Sequence, residues 1–269
     1  MTLSTAAPMI ETQHWDDHLA WMRRNWQPGQ HIASIGPTGE GKTTYNVGLL
    51  GIRKYPLALD PKGKDETLTA SGWTRVESIP PPGGFPLTPA WFRERYYYWF
   101  KGDGRRWDDI YDRIVAGQPV PVIVGGDART DEEDQRLVRL MADGIRFTRH
   151  SRGWTLYVDE FELLSSQRMF RLGPPVERML ISARRARTSV VTSFQAAAWV
   201  SKHATRQAKY AVMYPTGDRA MIKNVAESMG RDWRLLAEAV DELPRFFCLV
   251  IPRGKNGGPM MLVNAPKID

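Results

Sequence analysis

The stretch Gly36-Pro37-Thr38-Gly39-Glu40-Gly41-Lys42-Thr43 constrains this chain more than any other. It fits G-x-x-x-x-G-K-[ST] without a gap, and its flanks meet the structural demand of that pattern. HIASIG, just ahead, is a short apolar run that reads as a buried strand, and a helix is expected to begin near Lys42. Glycines at these spacings let backbone N–H groups close around the β- and γ-phosphates of a nucleoside triphosphate. Lys42 then offers a charge to the γ-phosphate, and Thr43 a hydroxyl to Mg2+. The expected binding set is Gly36, Pro37, Thr38, Gly39, Glu40, Gly41, Lys42, Thr43 and Thr44, with ATP and Mg2+ as ligands. A glycine-rich turn that holds no nucleotide is the plain alternative, and the strand and helix on either side weigh against it.

Further short apolar runs read as strands of the same sheet. They are YPLALD ending at Asp60, PVPVIVGG ending near Gly126, WTLYVDE ending at Glu160, SVVTSFQ ending at Gln195, and YAVMYP ending near Pro215. Between most of them lie stretches of helical period, DEEDQRLVRLMADGIRFTR, PPVERMLISARRAR and DRAMIKNVAESM. Strands alternating with helices predict a parallel α/β sheet with right-handed crossovers. After a helix in DWRLLAEAVDEL, the segments RFFCLVIP and GPMMLVNAP read as a closing β-hairpin through RGKNGG. Residues 10–26 carry apolar side chains at helical spacing, with Asp16 and Asp17 early and Arg23 and Arg24 late, and read as a lead-in helix. The expected layout is therefore a helical lead-in over 1–29 and one α/β domain over 30–269. A proline-rich break and an aromatic stretch mark an insertion at about 71–118, too long for a simple connection.

Composition narrows the class. With 42% hydrophobic and 25% charged residues in a chain of 269, this is the make-up of a soluble globular domain. No apolar stretch approaches the roughly 18 residues of a membrane span, so membrane insertion is not expected. The first residues lack a basic segment followed by an apolar run, and a cytoplasmic location is expected. Cys248, the single cysteine, sits in an apolar run and reads as a buried strand residue. Five scattered histidines give no structural zinc spacing. The net charge of +7 favours a polyanionic partner, although an ordinary basic surface gives the same number.

Three features point to hydrolysis. In WTLYVDE two carboxylates follow an apolar strand at the end where open α/β sheets place ligands. Asp159 is expected to hold Mg2+ through its water shell and Glu160 to polarise the attacking water. Gln195, ending the next strand, would lie beside the γ-phosphate if that strand runs between the other two; a polar cap after a strand is the bland reading. Arg184, Arg185 and Arg187 cluster before that strand, and an arginine reaching a neighbour's γ-phosphate contributes roughly 10³–10⁵ in rate where such fingers operate. A solvated basic helix end explains the same cluster.

The run Ala58-Leu59-Asp60-Pro61-Lys62-Gly63-Lys64-Asp65 resembles the FtsK/HerA superfamily of DNA-pumping ATPases, and the order of features is similar: phosphate loop, D-P-K-G after the second strand, an Asp-Glu pair, an arginine-bearing helix, and a strand ending in glutamine. The resemblance spans about residues 30–252. It implies a RecA-like (ASCE) P-loop fold, hydrolysis by Lys42, Thr43, Asp159 and Glu160, and a sensor at Gln195. It also implies a finger about eleven positions before the sensor, which selects Arg184. Family members usually open the sensor strand with glycine, whereas Arg187-Thr188-Ser189 stands here, so Arg185 and Arg187 remain candidates.

Such ATPases form homo-oligomeric rings whose loops touch the DNA backbone, as a sequence-indifferent pump requires. Candidate contacts are Lys62, Lys64, Lys101, Arg105, Arg106, Arg168 and Arg171, with aromatics of Trp91–Trp107 able to stack on bases or to pack within their own domain. The compact size resembles viral genome-packaging ATPases, which implies double-stranded DNA, a capsid vertex or portal as partner, and a location in host cytoplasm or with the virion. Other translocases, for conjugation, segregation or repair, are the nearest alternative. A protein-remodelling or morphogenesis factor is a second class, and a small-molecule kinase a third, which the Asp159-Glu160 pair argues against.

Overall fold

Near-continuous apolar runs become strands covered on both faces. Every residue of His31–Ile35, Trp154–Val158 and Ser189–Phe194 is buried, as expected when helices lie on either side of a parallel sheet. The structure, a computed structural model, describes residues 10–63, 65–79, 109–110, 112–114, 116–126, 130–151, 153–166, 170–195, 202–254 and 258–265. The described strands are β1 (Ile10–Gln13), β2 (His31–Ile35), β3 (Tyr55–Asp60), β4 (Thr74–Val76), β5 (Val122–Gly125), β6 (Trp154–Val158), β7 (Ser189–Phe194), β8 (Ala208–Met213), β9 (Phe247–Pro252) and β10 (Met260–Asn264). The described helices are α1 (Trp15–Asn25), α2 (Lys42–Leu50), α3 (Glu66–Ala70), α4 (Asp131–His150), α5 (Phe161–Ser165), α6 (Gly173–Ala186), α7 (Lys202–Gln207), α8 (Arg219–Met229) and α9 (Trp233–Asp241).

One sheet of ten strands runs in the order β1-β10-β9-β8-β2-β7-β6-β3-β5-β4. From β8 to β4 all pairings are parallel. β9 is antiparallel to both β8 and β10, so the expected closing hairpin is present. Successive strand residues serve opposite cores: Val190 packs with Leu156, Phe194 and Met179 on one face, Val191 with Ile32, Tyr45 and Tyr157 on the other. Cys248 is buried on β9 in the second of these cores and is a free thiol.

The longest of the described helices, α4, shows how the local code fixes a boundary. Thr130 Oγ1 accepts from Glu133 N at 3.2 Å, and Glu133 Oε2 accepts from Thr130 N at 3.2 Å, a reciprocal cap worth about 1 kcal/mol. Asp131, Glu132, Glu133 and Asp134 fill its first turn, and Arg149 and His150 its last, matching the helix dipole.

The lead-in departs from expectation. Residues 10–13 are a strand, paired in parallel with β10 from Ile10↔Met260 to Gln13↔Val263, and the helix begins only at Trp15. A free sheet edge offered backbone partners that helical spacing in the side chains could not reveal. Of the expected insertion, residues 80–108 lie outside the described residues; β4 within it is an edge strand beside β5.

The topology gathers the site. β2, β3, β6 and β7 are parallel, so Gly36, Pro61, Asp159 and Gln195 all follow the same edge of the sheet. β9 runs the other way, so its start at Phe247 lies at that edge, as do the ends of β10 and β1.

Candidate nucleotide site

The phosphate loop leaves β2 clamped between its neighbours. Gly36 N donates to Phe194 O at 3.1 Å and Tyr214 N to Ile35 O at 3.0 Å. Only glycine fits position 36, because a Cβ there would meet Tyr214 Cβ at 2.6 Å. Gly41 caps α2 in the left-handed region at φ 91°, ψ 15°, which glycine adopts without steric cost. The N-terminus of α2 therefore opens on the loop with unpaired N–H groups, a favourable place for an anion.

Lys42 is 7% exposed, and its ammonium donates to Gly36 O at 2.7 Å and Pro37 O at 2.5 Å. Burial pulls this lysine below its usual range, while Asp159, Glu162, Glu160 and Glu40 pull it back up. Asp159 follows β6 and accepts from the Tyr157 hydroxyl at 2.8 Å. Burial pushes its carboxyl up to about 7, with the Tyr157 bond acting the other way and Asp65, Glu160 and Asp60 adding to the rise.

Glu160 sits in the left-handed region at φ 50°, ψ 61°, as the cap of α5. A non-glycine residue there costs of order 1 kcal/mol and is held by its surroundings. Leu163 N donates to its carbonyl at 2.9 Å. Its Oε1 receives Gln195 Nε2 at 2.6 Å and also the Lys62 ammonium. Gln195 completes the link with its own Oε1, which accepts from the Thr38 hydroxyl at 2.8 Å. β7 does lie between β2 and β6, so one amide joins the phosphate loop to the carboxylate element.

A third acidic group was not foreseen. Glu162, on α5, accepts the backbone N–H of Gln195 at Oε1, and burial raises its carboxyl above the usual range. Its Oε2 is buried without a hydrogen-bond partner among the described residues, as is Glu40 Oε2. The signal was present as a carboxylate two positions after Glu160, masked by the adjacent pair.

The D-P-K-G turn after β3 is fastened by Asp60, 2% exposed, whose carboxylate takes Gly63 N at 2.9 Å, Asp65 N at 3.4 Å and Arg75 Nη2 at 3.1 Å. Lys62 projects from it. Arg185 is exposed near the end of α6, and Arg187 is exposed just beyond it at φ 52°, the helix-end conformation that glycine usually fills. Arg184 lies on the same helix. Arg171 is exposed, at φ 54°. Lys64, Lys101, Arg105, Arg106, Arg168 and Trp91–Trp107 lie outside the described residues.

A cleft of about 1070 Å³ contains Thr38, Gly39, Lys42, Thr43, Thr44, Asp159, Glu160 and Gln195. Its lining also includes His14, Trp15, Arg245, Phe246 and Asn264, from the β1–α1 junction, the start of α1, the approach to β9 and the end of β10. Phe246 is 44% exposed at φ 67°, with the Arg245 guanidinium 4.7 Å above its ring. These residues are far apart in sequence and carried no motif. Loop amides and one ammonium suit the phosphates of a triphosphate, and among the described residues no cluster of three or more acidic, histidine or cysteine side chains stands ready for a metal by itself, so a divalent cation would come with the nucleotide and take oxygens from both. Thr43 and Asp159, which line the same cleft, would be its protein oxygen ligands.

The fold is that of RecA-like P-loop NTPases. Over 90% of its length the chain matches 99% of the genome packaging NTPase B204 from Sulfolobus turreted icosahedral virus 2, with a TM-score of 0.54 and 13% identity. It matches the bacterial conjugative coupling protein TrwBdeltaN70 over 91% of this chain and 87% of that one, at TM-score 0.54 and 11% identity. VirB4 of Thermoanaerobacter pseudethanolicus matches over 88% and 89%, at TM-score 0.54 and 10% identity. Structures of that same B204 contain AMPPCP or ATP-gammaS. These neighbours are of the kinds to which the D-P-K-G resemblance pointed, and at such identities the likeness is one of fold. No family model and no curated protein matches the chain.

Proposed function

We propose that this chain is an ATP-driven DNA translocase that acts as a homo-oligomeric ring and packages a double-stranded genome. The observation that carries the hydrolytic part is the Gln195 amide, bonded at once to Thr38 in the phosphate loop and to Glu160. A group so placed senses the γ-phosphate and orients the water-polarising carboxylate in one movement. DNA as the load is supported by the packaging and conjugation proteins that share the fold and by the charge of +7.

The work divides among residues of this chain. Loop amides and Lys42 bind the phosphates, Lys42 exchanging its two carbonyl partners for phosphate oxygens. Thr43 and Asp159 would hold Mg2+, which would supply charge neutralisation at the phosphates. Glu160 orients and polarises water, which is most of what the protein must supply in phosphoryl transfer. Trp15 and Phe246, which line the same cleft, take the nucleobase by stacking. Arg184 reaches the site of an adjacent subunit and stabilises developing charge there. A capsid vertex or portal is the docking partner this role requires.

ATP turnover measured with and without long duplex DNA at low salt tests the proposal. Stimulation that declines as salt rises is expected, because backbone contacts release counterions. A basal rate that long duplex DNA leaves unchanged would remove the pump and favour a protein-remodelling role.

A further inference from the structure

The turn at Glu160 costs the sheet a hydrogen bond. Backbone groups alternate between the two flanks of a strand, and at the end of β7 Phe194 O faces β2, where it accepts from Gly36 N at 3.1 Å. The next N–H, that of Gln195, therefore faces the β6 side. The β6–β7 register pairs Val158 with Thr192, and carried onward it sets Gln195 opposite Phe161, with the Glu160 carbonyl as the acceptor that a parallel ladder would offer. That carbonyl is already committed, since Leu163 N donates to it at 2.9 Å and Glu160 has left the strand conformation at φ 50°.

Glu162 fills the place. Its Oε1 accepts the Gln195 N–H, while its Oε2 is buried without a hydrogen-bond partner among the described residues. Glu162 stands outside the lining of the nucleotide cleft, so its influence on nucleotide runs through the groups it holds. Foremost among them is Gln195, whose amide spans the Thr38 hydroxyl at 2.8 Å and Glu160 Oε1 at 2.6 Å. A side-chain amide keeps two partners at once only from a fixed backbone, and Gly36 and Glu162 fix this one from opposite flanks. Glu162 has a second route to the phosphates, because burial lowers Lys42 and the Glu162 charge is one of those that oppose the fall.

We propose that Glu162 is a positioning residue for the γ-phosphate sensor: its carboxylate replaces the missing ladder bond at Gln195, and so sets how sharply the site distinguishes ATP from ADP. The proposal rests on the ATP-hydrolysing part of the function given above and needs no nucleic acid.

Binding and turnover together test it. E162M removes the acceptor at nearly constant length, E162A removes it without added apolar bulk, and E162Q keeps a carbonyl oxygen in its place. In calorimetric titrations with AMPPCP and with ADP, each with Mg2+, E162M and E162A should lose about three- to tenfold of the preference for the triphosphate, as loss of one hydrogen bond allows. ADP affinity should stay close to wild type. Their kcat for ATP should fall by about three- to tenfold as well, and E162Q should restore both readouts. In a Q195A background E162M should add little, because the side chain it places is gone. Wild-type preference in E162M and E162A overturns the proposal, and so does an E162Q protein as impaired as E162M. A loss that falls equally on ADP, or that persists undiminished in Q195A, overturns it too, since the effect then runs through Lys42. If Q195A itself keeps wild-type preference and kcat, the sensor reading of Gln195 falls and the proposal with it; if Q195A loses both while E162M loses neither, the proposal alone falls.

Discussion

Replacing Asp159 with asparagine should stabilise the metal-free protein while destroying its use of Mg2+. The carboxyl is pushed up to about 7 by burial, against about 3.9 in an unfolded chain. Between those values the folded state binds more protons than the unfolded one, so stability falls as pH rises from about 4 to about 7 and the loss is complete above that. At about 1.4 kcal/mol per unit the full shift corresponds to roughly 4 kcal/mol. Asp159 borders the cleft, and water there screens its charge, so about 1–2 kcal/mol is the expected gain in D159N. The amide oxygen still accepts the Tyr157 hydroxyl, so that bond survives. Thermal unfolding in a chelator should show D159N melting about 3–6 °C higher at pH 8 and near wild type at pH 4.5. Equal gains at both values, or a loss at pH 8, would refute the reasoning, because neither follows from a charge that burial disfavours. The same variant should show no Mg2+-dependent tightening of ATP.

Three further outcomes follow from the site. E160Q should bind ATP normally and lose about 10²–10⁴ in kcat, and mixing it with R184A should recover part of the activity if the arginine acts across a subunit boundary. Recovery absent from correctly assembled mixtures counts against Arg184 and returns attention to Arg185 and Arg187. F246A should raise KM for ATP about fivefold or more, from a stack worth about 1–3 kcal/mol. Its melting temperature should stay near wild type, since the side chain is 44% exposed and alanine meets the same left-handed backbone; an unchanged KM would place the base elsewhere.

Contiguous chemistry was legible in the sequence, and juxtaposition was not. The phosphate loop and the Asp159-Glu160 pair are local patterns whose strand and helix context lies within a few residues, so each could be read directly. Gln195 was readable only on the condition that its strand lies between β2 and β6, a question of strand order that periodicity cannot answer. Lys62 drew notice as a basic residue in a D-P-K-G run, but its contact with Glu160 depends on β3 and β6 being neighbours. Glu162 was overlooked because its role is to hold a backbone amide from another strand. The proposed nucleobase contacts were hidden further, assembled from segments near residues 14, 246 and 264 by a sheet edge that includes β1, a strand too short to announce itself.

The bond from Thr38 to Gln195 joins residues 157 apart in sequence, and the contact of Lys62 with Glu160 joins residues 98 apart. Contacts of that range close only after most of the chain has collapsed, which makes such sheets slow to mature. A chain in which β7 has not yet docked between β2 and β6 would lack the Gln195 partner of the phosphate loop. Nucleotide bound at this site would therefore favour completion of the sheet by mass action, by about 2.7 kcal/mol at a concentration one hundred times Kd. During synthesis ATP would thus act as a folding ligand well before it serves as fuel.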